Sequence, residues 1–401
     1  MRIALSGITA LRAWRAIRSG KVPEARPDGR VSLPLPDPTP AKRWTAKCFD
    51  LAFIGIDTSA LDSAHPLHVA TPDAKKRIRT AGIECTTYAN LPADAFVDVG
   101  RGVCIACPEL VFIEMGAVTR PEVQLLLGYE LCGGFSRDPD SPRDGEVTYG
   151  VEPVTTPEKI SAFLAGCRYV PGTESARRML PYLRANAWSP TEAIVAALAV
   201  MDYDDYGYEI GDVVLNQRIR TGEQATRVPD ILFTGTHVGL NYDGGVHFGL
   251  QDVVAAAGTE HEAAAVAQAR ARIVDDKRRS RELLAAGYTV LPVTSEDLYE
   301  AGGLDAVMEQ VMTLIERECG RNYSKTRDFL SHPIVAKRRQ RLIWSLLPGK
   351  RGIELLREMY AADQRMFRAY REAWEAAFAP YDPVDAIEWR PASPTPVGRR
   401  D

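Results

Sequence analysis

Residues 188–288 constrain the fold of this chain more than any other stretch. They open on Ser189-Pro190-Thr191-Glu192: a helix-capping serine, a proline suited to the first helical position, and a glutamate three residues after the cap. Ile194, Val195, Leu198 and Met201 continue that start as a helix. Residues 213–219, 228–233 and 237–242 read as three strands. Residues 260–286 read as a long Ala- and Arg-rich helix, ended by Gly287. An apolar strand over 288–293 and a helix over 304–318 complete the pattern. The order α-β-β-β-α-β-α predicts an α/β fold, a sheet with helices on its faces.

Chemistry-bearing residues punctuate that order. Glu192 lies on the helix start. Asp230 lies in an apolar strand among Pro229, Ile231, Leu232 and Phe233. Asp243 ends the next strand, and His247 follows the Gly244-Gly245 turn. Phosphodiester hydrolysis uses a metal to polarise the phosphoryl group and to supply hydroxide near neutral pH. Mg²⁺ takes oxygen ligands, usually one or two carboxylates with waters and substrate oxygens. Antiparallel pairing of the two strands predicts Asp230 and Asp243 at neighbouring strand ends, in reach of one ion. The glycine turn predicts His247 at the same rim, as acid, base or phosphate ligand. Each residue also has a plainer reading. A capping box explains Glu192, a strand edge explains Asp230, and a hairpin turn explains Asp243-Gly244. His247 fits a surface or core histidine, and Asp276 with Arg279 fits an ion pair on one helix face. Asn241 stands where a second strand carboxylate is expected.

The rest of the chain sets the context. Its 401 residues are 45% hydrophobic, enough for two or three domains with cores, and carry a net charge of −4. Charge is uneven: ten Lys/Arg against four acids in 1–50, and eight against Asp328 alone in 321–350. Such asymmetry suits surfaces that meet phosphate as well as solvated helix faces. In particular, Lys337, Arg338, Arg339 and Arg341 beside Trp344 form a candidate DNA-backbone contact. The run Lys75-Lys76-Arg77 reads as a solvated helix start. Seven cysteines without regular spacing predict reduced thiols and a cytoplasmic protein. Cys104 and Cys107, flanked by Val103, Ile105 and Ala106, read as buried strand thiols rather than zinc ligands. The start of the chain lacks the long apolar run of a signal peptide, and no stretch approaches a membrane span.

The organisation read from these signals has four parts. Residues 1–40 are a basic helix and a Pro-rich linker. Residues 41–185 are a smaller α+β module, with strands over 51–56, 68–70, 84–87, 96–99 and 103–106. Residues 186–320 are the module above, and 321–401 a basic helical tail with a disordered end.

From about 188 to 315 the chain resembles the very-short-patch-repair-like branch of the PD-(D/E)XK nuclease superfamily. That branch shows a helix glutamate, a strand aspartate, Glu-x-Asp-Gly-x-x-His, a helix with Asp-x-x-Arg, and Gly-Tyr before a strand. Glu192 and Asp230 match the first two. Asp243, Gly244 and His247 match the third motif, Asp276 and Arg279 the helix pair, and Gly287-Tyr288 the turn. The resemblance implies a restriction-endonuclease-like mixed sheet flanked by helices. It also implies a Mg²⁺- or Mn²⁺-dependent DNA endonuclease, with Glu192, Asp230 and Asp243 on the metal and His247 assisting. Asn241 departs from the pattern at its acidic position, which puts cleavage in question but not fold. Residues 60–130 resemble the abortive-infection antitoxin-like (AbiEi-like) region of proteins that join it to such a domain. His68-Val69-Ala70, Lys75-Lys76-Arg77-Arg79 and 103–109 carry that likeness. It implies a prokaryotic defence context with a toxin or defence-system partner. The alternative it leaves open is a catalytically inactive, DNA-binding regulator.

Overall fold

The structure is a computed structural model and describes residues 2–35, 50–59, 61–222, 225–243, 254, 258–259 and 261–378. Strand β1 (Ile3–Leu5) enters the interior of a mixed sheet and turns at Ser6-Gly7 into helix α1 (Gly7–Arg18). Strands β2 (Asp28–Val31), β3 (Leu67–Thr71), β4 (Ile83–Thr87), β5 (Phe96–Gly100) and β6 (Val103–Ala106) complete six strands, ordered β2-β5-β6-β1-β3-β4. β1 runs parallel to β6 and antiparallel to β3.

The first residues therefore belong to the sheet, where the sequence pattern predicts only a helix and a linker. Ile3, Ala4 and Leu5 are all buried. A strand covered on both faces shows no alternation to read. Residues 51–56 form a 3₁₀ turn, Ala52–Ile54, instead of a strand. Gly55 closes it at φ +78°, where a Cβ would sit 2.7 Å from that of Ala16. The strands expected over 68–70, 84–87, 96–99 and 103–106 appear as β3 to β6, while β2 lies in the stretch read as a Pro-rich linker.

Helix α1 buries Ala10, Leu11, Ala13 and Trp14, and the Trp14 indole donates to the Ala106 carbonyl at 2.9 Å. Its arginines tie the module together. Arg15 forms a buried pair with Glu130, and Arg18 donates to the carbonyls of Glu130 and Gly133. Helices α2 (Pro108–Met115) and α3 (Pro121–Leu131) break at Arg120-Pro121, as the proline predicts. A short hairpin, β7 (Phe135–Ser136) with β8 (Thr148–Tyr149), follows, then α4 (Pro157–Gly166) and α5 (Thr173–Met179). Cys104 and Cys107 are buried, and burial pushes the Cys104 thiol up to about 11. They are core thiols.

Helix α6 (Pro190–Val200) is apolar all round and buried from Ala193 to Ala199. That composition suits its place between α3 and strand β9 (Val213–Leu215). A small hairpin, β10 (Ile219–Arg220) with β11 (Thr226–Arg227), interrupts the next connection. Then come β12 (Ile231–Phe233), β13 (Val238–Asp243), the long helix α7 (Glu262–Ala285) and β14 (Thr289–Thr294). The order is β14-β13-β12-β9. The first three strands in chain order are antiparallel neighbours. β14 lies parallel to β13, as a strand returning through a helical crossover does. Ile219, Leu232 and Leu283 form a core that joins the hairpin, sheet and α7. The fold is mixed α/β, with mixed sheets and a helical C-terminal region.

Helices α8 (Ser295–Tyr299), α9 (Gly303–Cys319), α10 (Ser324–Leu330) and α11 (Pro333–Leu346) follow. Residues through Gly352 form one compact unit. A second unit starts at Ile353 and contains most of α12 (Arg351–Phe378). Among the described residues no helix is long and apolar enough to cross a membrane.

Candidate active site

The first turn of α6 and the ends of β9, β12 and β13 meet at one place. Ser189 caps α6 by accepting from the Glu192 backbone N–H at 3.1 Å. The Glu192 carboxylate turns back and accepts from the Trp188 N–H at 3.0 Å, one residue before the cap. Its other oxygen accepts from Asn216 Nδ2 at 2.6 Å. The expected capping box is thus formed only in part, with the return bond going to Trp188 rather than Ser189, and Asp230 lies near enough for its charge to act on Glu192. Only 3% of it is exposed. Burial, and then the charge of Asp230, push its carboxyl up to about 9 against the hydrogen bonds it receives.

Asp230 lies just before β12. Its Oδ2 accepts from the Tyr242 N–H at 2.6 Å, and its own N–H donates to Asn241 Oδ1 at 3.0 Å. The β12–β13 ladder ends at Ile231↔Leu240. Asn241 continues it by one rung with its side chain. The amide at the position where an acid was expected is therefore spent on the backbone of the aspartate, in a setting only 6% exposed.

Asp243 sits two residues farther along β13, past Asp230. Its Oδ1 lies 3.7 Å from Arg279, which also reaches Asp276 at 3.1 Å. The expected sharing of one ion between Asp230 and Asp243 is not what these contacts favour: Asp243 belongs to a cluster with the helix pair on α7. Among the described residues no group of three or more His, Cys, Asp or Glu is arranged to hold a metal. His247 lies outside the described residues.

Two residues the sequence reading missed complete the place. Asn186 and Asn216 both adopt left-handed backbone, at φ +71° and +52°. Asparagine tolerates that conformation better than most side chains. Asn186 Nδ2 donates to the Leu215 carbonyl, and Asn216 Nδ2 donates to the Asn186 carbonyl as well as to Glu192. Asn216 N–H donates to the Asp230 carbonyl at 3.0 Å. Both acceptors of the Asn216 amide face its nitrogen, so its oxygen points elsewhere. That Oδ1 is buried without a partner among the described residues, in a residue 5% exposed. A lone asparagine after a strand carries no signal that would have found it.

The basic run on α11 does not form one face. Arg339 is buried, bound through Nε and Nη2 to the two oxygens of Asp305 and set 4.9 Å over the Tyr208 ring. It is withdrawn from any DNA surface. Exposed Arg338 donates to the Tyr206 hydroxyl at 2.8 Å, while Lys337 and Arg341 are half-buried. Lys75 and Lys76 lie exposed in a 3₁₀ turn capped by Asp73. No family model, curated protein or solved structure matches this chain.

Proposed function

We propose that the chain is a Mg²⁺-dependent phosphodiesterase acting on DNA, of the PD-(D/E)XK kind, with Glu192 and Asp230 as the carboxylates that hold the cation. The observation that carries this reading is the buried Glu192 carboxyl beside the half-buried Asp230. Two carboxylates close enough for one to raise the other are costly without a positive charge between them, and a divalent cation relieves that cost. The unpartnered oxygen of Asn216 is a third donor of the type Mg²⁺ prefers. Two carboxylates leave coordination for waters and substrate oxygens. A cation bound there polarises a phosphoryl group and makes water nucleophilic near neutral pH. The chain's own groups set the geometry. Trp188 N–H and Asn216 orient Glu192, Tyr242 N–H orients Asp230, and Asn241 fixes the backbone between them. The antiparallel three-strand run with a parallel fourth strand after a helical crossover supports the same reading.

Purified protein is expected to nick supercoiled plasmid with Mg²⁺ or Mn²⁺ and not with EDTA. Absence of nicking at protein concentrations that retain DNA would overturn the cleavage reading. One observation favours a second reading, a retired nuclease fold used for DNA binding: Asn241 is neutral and already occupied. Asn241→Glu separates the two. Under the hydrolase reading it raises nicking several-fold. It also lowers metal-free stability by roughly 1–3 kcal/mol, because a buried acid is added beside the two already there. Unchanged nicking would show that charge at this position does not limit the site.

A further inference from the structure

We propose that the β10–β11 hairpin is the arm that holds the substrate's phosphate backbone, with Arg218 and Arg220 as the contacting residues. That the substrate is DNA rests on the hydrolase reading; the placement of the arm rests on its own geometry. The hairpin leaves the sheet after β9 at Asn216 and returns to it at Asp230, just before β12. Both ends are residues of the candidate site. Asn216 Nδ2 donates to Glu192, and Asn216 N–H closes the base of the arm on the Asp230 carbonyl at 3.0 Å. Whatever the arm binds is therefore held next to Glu192 and Asp230.

The two faces of the arm differ. Ile219 pairs across the hairpin with Arg227, and both turn toward α7. Ile219 packs with Leu232 and Leu283, while Arg227 donates to Glu282 at 2.6 Å and lies 3.5 Å from Asp275. Apolar contact and ion pairs thus fix the arm on a long helix. Side chains alternate along a strand, so Arg220, paired with Thr226, lies on the opposite face. Both are exposed. Arg220 Nε donates to the Gly222 carbonyl at 3.2 Å, which ties the guanidinium to the arm's own turn. Arg218, just before β10, is exposed and two residues from Asn216. At no more than about 3.6 Å per residue, its Cα lies within about 7 Å of that of Asn216, and the Cα of Arg220 within about 14 Å.

A cation at Glu192 and Asp230 meets one phosphate. A nucleic acid brings a charge about every 3.4 Å along each strand, so the flanking phosphates need partners of their own. The chain carries a net charge of −4, and the positive charge for this task has to be local. Helix α11 does not bring it here. Arg339 is buried, and Arg338 donates to Tyr206, beyond the C-terminal end of α6, whereas Glu192 lies in the first turn of that helix. Arg279 is engaged by Asp243 and Asp276. Guanidinium groups match phosphate with two parallel donors and hold it without reading bases. Arg218 and Arg220 therefore set the register of a strand within about four nucleotides of the scissile phosphate.

The test is binding in EDTA of a fluorescently labelled DNA duplex, and of one of its strands, over roughly 50–200 mM salt. Each phosphate contact contributes about 0.9 to the slope of log affinity against log salt for a duplex, and about 0.7 for a single strand. Arg218→Gln and Arg220→Gln should each lower the slope by about that amount and weaken binding several-fold, and the double variant by about twice as much in slope. Arg220→Lys keeps the charge and should keep the slope, which separates a phosphate contact from the bond to Gly222. Arg338→Gln should leave the slope unchanged. A double variant with the wild-type slope overturns the arm, and so does a wild type that binds neither DNA at low salt. Mn²⁺ binding, set by Glu192 and Asp230, should be the same in the double variant as in the wild type. Cleavage is not read in this assay. A protein that binds DNA through Arg218 and Arg220 but nicks nothing with Mg²⁺ would sink the hydrolase reading alone. A protein that nicks, with a salt slope that ignores both arginines, would sink the arm alone.

Discussion

Asp230→Asn is expected to lose Mg²⁺-dependent nicking by about a thousandfold or more, while the metal-free protein becomes no less stable. The first effect follows from removing one of two carboxylates that hold the cation. A metal's share of transition-state stabilisation is several kcal/mol, and about 4 kcal/mol is a thousandfold in rate. The second follows from the pair's electrostatics. Glu192 has its folded-state carboxyl raised to about 9, well above its ordinary value. Its contribution to stability is therefore full only at acid pH, below the unfolded value. It is lost as pH rises toward about 9. Asparagine at 230 removes the charge that adds to this penalty, yet keeps an oxygen for the Tyr242 N–H. Melting in EDTA above pH 7 should show the variant equal to the wild type or about 1 kcal/mol more stable. Nicking retained at the wild-type rate would remove Asp230 from the site. A large loss of metal-free stability would mean that its role is structural.

Arg339→Met is expected to cost about 3 kcal/mol of stability, the largest single-residue effect on α11. Arg339 is 1% exposed. Its guanidinium donates to both oxygens of Asp305 at 2.7 and 2.9 Å, and to the Leu330 carbonyl at 3.0 Å. Tyr208, itself buried, donates its hydroxyl to the same Asp305 oxygen at 2.5 Å. Methionine fills the volume but takes the Arg339 donors from the Asp305 carboxylate, which keeps only Tyr208, and from the Leu330 carbonyl. Breaking one side of such a pair is far more damaging than never having made it. Lysine should not rescue, because a single ammonium cannot span both carboxylate oxygens. Arg338→Ala, at the exposed neighbour, should cost under about 1 kcal/mol. Denaturant midpoints for the three variants decide this. An Arg339→Met midpoint close to the wild type would contradict the buried pair.

Arg339 also marks what the sequence could not convey. In the run 337–341 every basic residue carries the same local signal. Which one turns inward depends on Asp305 and Tyr208, which come from elsewhere in the chain. The second module was legible because its elements are long and well punctuated. Ser189-Pro190 starts α6, Gly287 ends the α7 turn, β13 and β14 fall within one residue of their expected places, and β12 starts three residues late. β1 was hidden because three buried residues have no period. The proximity of Glu192 to the acid of a distant strand was legible only as an order of motifs. Its partner Asn216 was not legible at all, since a left-handed asparagine bridging two segments is a product of packing. Asn241 was correctly singled out as the departure, but its use as a substitute ladder rung required coordinates.

The most direct test of the central claim is calorimetric titration of Mn²⁺ into the metal-free protein near pH 7.5, in two buffers of different ionisation enthalpy. Glu192, held up to about 9, carries a proton at that pH and must release it to bind a cation. The account predicts one ion per chain and close to one proton released per ion, with both lost in Asp230→Asn. Absence of saturable binding would contradict it, as would binding that releases no proton and persists in Asp230→Asn.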